Sequence, residues 1–147
     1  MLFKPKDDGI THINIYSRGA TALGRVLSNF EKTPIHLPFD GYFASIEAYW
    51  YWLATGKIHD DLRPLYGYRA KKTGMQYTRQ HIDHFEDHIK RAFMAKVQQN
   101  DDVWWLLMVS HLPLTHYFVK DDFAIPLKRH QWQVDFWANY RHELQGP

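Results

Sequence analysis

The first regular pattern along the chain is His12-Ile13-Asn14-Ile15-Tyr16, where polar and apolar residues alternate with the period of two that predicts a half-buried β-strand. Gly19 and Gly24 punctuate a loop after it. Extended chain resumes over Thr33 to Phe39, with Ile35, Leu37 and Phe39 on one face. It ends at Asp40-Gly41, whose tolerance of positive φ suits a tight hairpin turn into Tyr42-Phe43. From Ser45 the period lengthens to that of a helix. Ser45 suits an N-cap and Gly56 a C′ position, which brackets a helix over Ile46 to Thr55. Tyr49, Trp50, Tyr51, Trp52 and Leu53 make this helix apolar nearly all the way round, so it should be enclosed by protein and central to the domain.

A second helix is predicted from about Arg79 to Gln99, where Ile82, Phe85, Ile89, Phe93 and Val97 form one stripe at steps of three and four. Asp101-Asp102 would cap a short helix over Val103 to Val109 that stops before Pro113. A last helix near His130 to Leu144 presents Trp132, Phe136, Trp137, Tyr140 and Leu144. No repeat or linker interrupts the pattern. It predicts a single domain over residues 1–147, mainly helical within the α+β class, with a small N-terminal sheet.

Composition narrows the chemistry. The length of 147 residues and the 45% hydrophobic, 23% charged balance suit one folded domain. The absence of cysteine removes a disulfide scaffold, a thiol nucleophile and any thiolate zinc site. A formal charge of only +2, with no long run of Lys or Arg, gives little support to a nucleic-acid binder as a class. At the N-terminus lysines and aspartates surround a mere Leu2-Phe3, unlike a signal peptide, and no apolar run is long enough to span a bilayer. A cytoplasmic protein is expected, in the host cytoplasm if the source is viral.

Glu47 is the leading candidate for chemistry. It lies in the first turn of the most hydrophobic helix, with Trp50, Tyr51 and Ala54 on neighbouring positions, so burial should raise its pKa toward values useful in acid–base work. An acid just after an N-cap serine is also stabilised by the helix dipole without any function. The ten histidines suggest metal, and His81, His84 and His88 fall on one side of the second predicted helix. However, the zinc-protease motif needs glutamate directly after the first histidine, where this chain has Phe85, so a solvated helix flank and no metal are expected. Arg69, Lys71 and Lys72 before Gly74 either meet phosphates or compensate the end of a helix. No Walker loop, dinucleotide fingerprint or Gly-x-Ser-x-Gly elbow occurs, and no cofactor is expected.

The order Ser28-Asn29-Phe30, Pro34-Ile35, then Asp40-Gly41-x-Phe43-x-Ser45-x-Glu47-x-Tyr49-Trp50 resembles the NADAR superfamily, also called YbiA-like. Ala70-Lys71-Lys72-x-Gly74, and the Phe85 to Lys96 stretch followed by Gln98-Gln99-Asn100, resemble later segments of that family, so that the likeness spans roughly residues 12 to 120. Ile15 to Thr21 and the Tyr-Trp-Tyr-Trp run look most like compact members carried by bacteriophages.

The resemblance implies a YbiA-like domain and an N-glycosidase. Such an enzyme cleaves the bond between a ribose and a base or amine, on riboflavin-pathway intermediates or on ADP-ribose attached to guanine. It implies Glu47 as the catalytic carboxylate, with Arg18, Ser28, Asn29, Phe30, Trp50, Tyr51 and Lys71 on the substrate side. The expected partner is a ribosylated nucleotide or an ADP-ribose-modified nucleic-acid base. Two departures stand out: the lysine that many members carry seven residues after the glutamate is Ala54 here, and their tryptophan near the start of the later helix is replaced by Phe85 or His84. Lys57 is on a roughly similar helical face to Ala54, just past Gly56. The alternative reading is an altered protein that binds a nucleotide or ADP-ribose without cleaving it.

Overall fold

In a computed structural model that describes residues 3–147, with Met1 and Leu2 outside the described part, the chain divides into two units. One comprises Met1–Ser28 with Asp102–Pro147, the other Asn29–Asp101.

The second unit is organised around α2 (Ile46–Ala54). Ser45 caps this helix, its Oγ accepting from Ala48 N–H at 3.1 Å and donating to Leu65 O at 2.9 Å. Gly56 follows at φ +100°, the left-handed conformation expected just past a helix end. All of its residues except Glu47 and Trp50 are buried. The hairpin β2 (Ile35–Leu37) with β3 (Gly41–Phe43) precedes α2, pairing Ile35 with Phe43 and Leu37 with Gly41. Gly41 takes φ +87°, as the Asp-Gly signal predicts. Phe39, however, stands wholly exposed in the turn instead of on the Ile35 face, because the strand ends at Leu37. Phe43 meets Tyr49 and Trp52 edge-on at 4.9 and 5.0 Å, and the Arg63 guanidinium lies over Phe43 and Trp52.

α3 (Gly67–Gly74) has no counterpart in the hydrophobic pattern, since only Ala70 and Gly74 are buried along it. α4 (Phe85–Gln99) is shorter than the predicted helix. The segment before it leaves helical conformation because Gln80 N–H binds Ala54 O at 2.8 Å, satisfying the end of α2, and His84 takes φ +59°. At the other end of α4, Gln99 bonds both the N–H and the C=O of His36, and Asn100 donates to Pro34 O. Lys96 is fully buried within α4, and burial pulls its ammonium down to about 7 against the raising effect of Glu31.

In the first unit, β1 (Ile13–Asn14) pairs in parallel with β4 (Leu114–Thr115), so the sheet expected near the N-terminus draws on the C-terminal part of the chain. His12 to Ile15 are all buried, against the half-buried expectation. Their polar members are satisfied: His12 Nε2 meets Tyr117 Oη at 2.7 Å, and the Asn14 side chain bonds the Tyr117 N–H and C=O. α1 (Ala22–Leu27) occupies the predicted loop, capped by Thr21 Oγ1 on Gly24 N–H. The hairpin β5 (Tyr117–Lys120) with β6 (Phe123–Pro126) turns through Asp121 and Asp122, both at positive φ. α6 (Gln131–Gln145) lies where the aromatic pattern puts it, and α5 (Asp101–Val109) starts two residues early. The Gln145 amide closes α5 by donating to Leu107, Met108 and Ser110 carbonyls. The observed class is α+β and mainly helical.

Ser45→Ala removes both bonds of the α2 cap. It is expected to lower the urea midpoint by the equivalent of about 1–2 kcal/mol with an unchanged m-value.

Candidate functional site

Glu47 enters the site through its backbone as well as its side chain. Its N–H, one of the first-turn donors that α2 cannot satisfy internally, bonds Asn29 O at 2.9 Å. The next carbonyl, Phe30 O, accepts from Gly67 N–H at 2.8 Å, at the start of α3. The Asn29-Phe30 segment is thus pinned between the first turns of two helices.

Burial pushes the Glu47 carboxyl up to about 7, opposed first by the positive charge of Lys71 and then by that of Arg79. Glu47 nevertheless keeps intermediate solvent exposure. The carboxyl is thus desolvated yet still partly open to solvent. Tyr51, buried one turn further along α2, is held where α3 passes close. A Cβ on Gly74 would stand 2.2 Å from Tyr51 Cγ, so only glycine permits this approach. The Arg79 guanidinium lies 5.6 Å from the Tyr51 ring centre. Trp50, half-buried, packs edge-on against Phe85 with ring centres 4.9 Å apart.

Among the sequence-derived residues, Glu47, Asn29, Phe30, Trp50, Tyr51 and Lys71 all belong to the second unit. Arg18 and Ser28 belong to the first, Arg18 exposed and Ser28 at the C-terminal cap of α1. Arg79 is the functional candidate that the hydrophobic pattern hides, because the apolar stripe draws position 79 into a helix. Lys57 lies past the end of α2 at φ +64°, and its Nζ sits 3.8 Å from Asp40, which also accepts from Tyr49 Oη.

The histidine cluster dissolves on folding. His81 lies ahead of α4 beside Asp83, His84 is its N-cap residue, and only His88 is helical. Among the described residues no three His, Cys, Asp or Glu side chains converge to hold a metal, and no helix is long and apolar enough to cross a membrane.

Glu47 links this site to stability. Between about pH 4.5 and 7 the folded chain holds the Glu47 proton more tightly than the unfolded chain does. Stability therefore falls as pH rises through that window, and the cost is fully present above it. Glu47→Gln should melt above the wild type at about pH 8 and alongside it near pH 4, which thermal unfolding at the two pH values checks.

Comparison with protein-family models gives no match, and no curated protein matches the sequence. The fold does have a solved counterpart. The NMR structure of the E. coli protein YbiA superposes with a TM-score of 0.68 over 93% of this chain and 90% of that one, at 19% identity, so the chain has a YbiA-like fold.

Proposed function

We propose that the protein is an N-glycosidase acting on a ribosylated nucleotide, with Glu47 as its catalytic carboxylate. The observation that carries this reading is the Glu47 carboxyl, desolvated and raised to about 7 yet partly exposed at the first turn of α2, with Lys71 and Arg79 acting on it. The fold shared with YbiA and the family resemblance of the sequence support the same reading. Breaking the C1′–N bond leaves the electron pair on nitrogen and positive charge on the ribose ring. An ionised Glu47 stabilises that charge and takes a proton from the water whose oxygen attacks C1′, while the leaving nitrogen acquires a proton from solvent. Trp50, half-buried where Tyr51 is buried, offers aromatic surface to the base or ribose, and Lys71 and Arg79 suit the phosphates. With Ala54 where a lysine amine would stand, water is the nucleophile available to this mechanism.

Ala54 also motivates the alternative, a protein that binds ADP-ribose or a related nucleotide and leaves it intact. The two readings separate on product. Incubation with ADP-ribosylated guanosine, followed by mass spectrometry, should release ADP-ribose, and Glu47→Gln should lower the rate by about 10²–10⁴-fold. No release from that substrate or from ribosylamino-pyrimidine phosphates sinks the enzyme reading, and thermal stabilisation by ADP-ribose without product selects the binder.

Because the ionised form acts, the rate should rise with pH through a limb near 7. Removing an opposing cation, as in Lys71→Ala, should move that limb to higher pH, and a pH profile of kcat/KM, which reports the free enzyme, measures it.

A further inference from the structure

The register of the β5–β6 hairpin fixes which way its backbone groups point. The two-residue turn at Asp121 and Asp122 makes Lys120 and Phe123 a hydrogen-bonded pair, and the pattern alternates from there. Phe118 and Ile125 are then hydrogen-bonded too, whereas Val119 with Ala124, and Tyr117 with Pro126, turn their backbone groups outward. Two observations agree with this phase. Pro126 has no N–H and the hairpin needs none there, and the outward N–H and C=O of Tyr117 are both bonded by the Asn14 side chain.

Asn14 thus closes the base of the β5 edge, while the β6 edge is open. Among the described residues no strand or side chain bonds Ala124 on its outward side. An open edge is usually guarded by charge, yet Phe123 is 72% exposed beside Ile125 and Phe118, all three on the face opposite buried Tyr117. Charge is instead placed beyond the two ends of β6. Asp121 and Asp122 precede it and Lys128 and Arg129 follow it, all exposed, and no ion pair among the described residues involves any of them. A strand that is acidic before its start and basic past its end complements itself when a second copy runs antiparallel to it.

We propose that two copies of the chain pair antiparallel through β6 about a twofold axis at Ala124, joining their hairpins into a four-stranded sheet. Ala124 N–H and C=O bond the C=O and N–H of the second copy's Ala124, the one residue of β6 with both groups free and outward. Phe123 then stands opposite the second copy's Ile125 in a non-hydrogen-bonded pair, where side chains come closest. The Phe118 and Ile125 row of each copy runs on into Phe123 of the other, so the exposed apolar side chains form one continuous strip. Each acidic turn lies alongside the basic stretch that follows β6 in the other copy. A contact with this symmetry closes at two copies and does not propagate into a fibre. A strand from another protein would share the backbone bonds, but the chain's own sequence supplies both charged ends.

Sedimentation equilibrium of the full chain tests this. The mass should rise from 17.6 kDa toward twice that value as concentration increases through the micromolar range, the behaviour of a small, transient interface. Ala124→Pro removes the outward N–H and spares the hairpin's own bonds, so it should weaken association by about tenfold or more while melting with the wild type. Ile125→Lys should weaken it as well. Lys128→Glu with Arg129→Glu should weaken association, and adding Asp121→Asn and Asp122→Asn, which keep the tolerance for positive φ, should recover part of it. The chain has no cysteine, so Ala124→Cys reports the register directly. Mild oxidation should link it into a disulfide dimer, since Cα atoms of a hydrogen-bonded pair stand about 5.5 Å apart. Val119→Cys, separated from its counterpart by both β6 strands, should stay unlinked. Should Ala124→Pro unfold the hairpin, Ile125→Lys, the charge variants and the crosslink decide the question. A single-chain mass at every concentration, association unchanged in Ala124→Pro and Ile125→Lys, or equal crosslinking through Val119→Cys overturns the proposal. So does capture by phospholipid vesicles of a chain that stays monomeric, which assigns the apolar face to a membrane.

Discussion

A helix with almost no solvent face imposes the constraint on which the second unit depends. α2 buries aromatic rings in several directions, which is favourable only if every polar group on it finds a partner inside the protein. The unit meets that demand group by group. Ser45 closes the start of the helix, Asn29 O takes the N–H of Glu47, and Gln80 N–H takes the carbonyl of Ala54. Tyr49 Oη reaches Asp40, and Trp52 Nε1 reaches Asp60. Each bond draws a different segment against α2, and the Asn29 segment is held directly at Glu47.

Glu47 is the one acid of α2, and its surroundings pull it two ways. Desolvation favours the neutral carboxyl, while Lys71 and Arg79 favour the carboxylate, with desolvation the larger effect. A fully compensated carboxylate would titrate in the ordinary range and remain ionised, and an uncompensated one would stay protonated at neutral pH. A balance near 7 lets the group exchange a proton under ordinary conditions, at the cost of stability above that pH.

What the sequence made legible follows from how local the determinants are. Ser45, Gly56 and the Asp-Gly turn act within a few residues of themselves, so α2 could be read to within a residue and the β2–β3 hairpin located, although β2 stops at Leu37 and leaves Phe39 in the turn. The start of α4 could not. Arg79 and Gln80 are locally compatible with helix, and what removes them is a bond to Ala54 O, a partner distant in sequence. β1 was misjudged for the same reason, since the burial of His12 and Asn14 is made acceptable only by Tyr117. At the site, Glu47, Trp50 and Tyr51 were legible because they share a helix face. Arg79 was hidden within a helix prediction, and α3 was invisible to any method that looks for an apolar stripe.

That invisibility is itself informative about α3. A helix of eight residues with only Ala70 and Gly74 buried gains little from burial. It is held by its ends, through Phe30 O on Gly67 N–H, and by the fit of Gly74 against the Tyr51 ring. Stability alone would be served better by an acid near the N-terminus and more apolar residues on the inner face. Its sequence instead spends its polar positions on Arg69, Lys71 and Lys72 and its one close approach on glycine. Of these, Lys71 acts on the Glu47 carboxyl while Arg69 and Lys72 stay exposed, so the helix contributes a charge to Glu47 that its own folding does not call for.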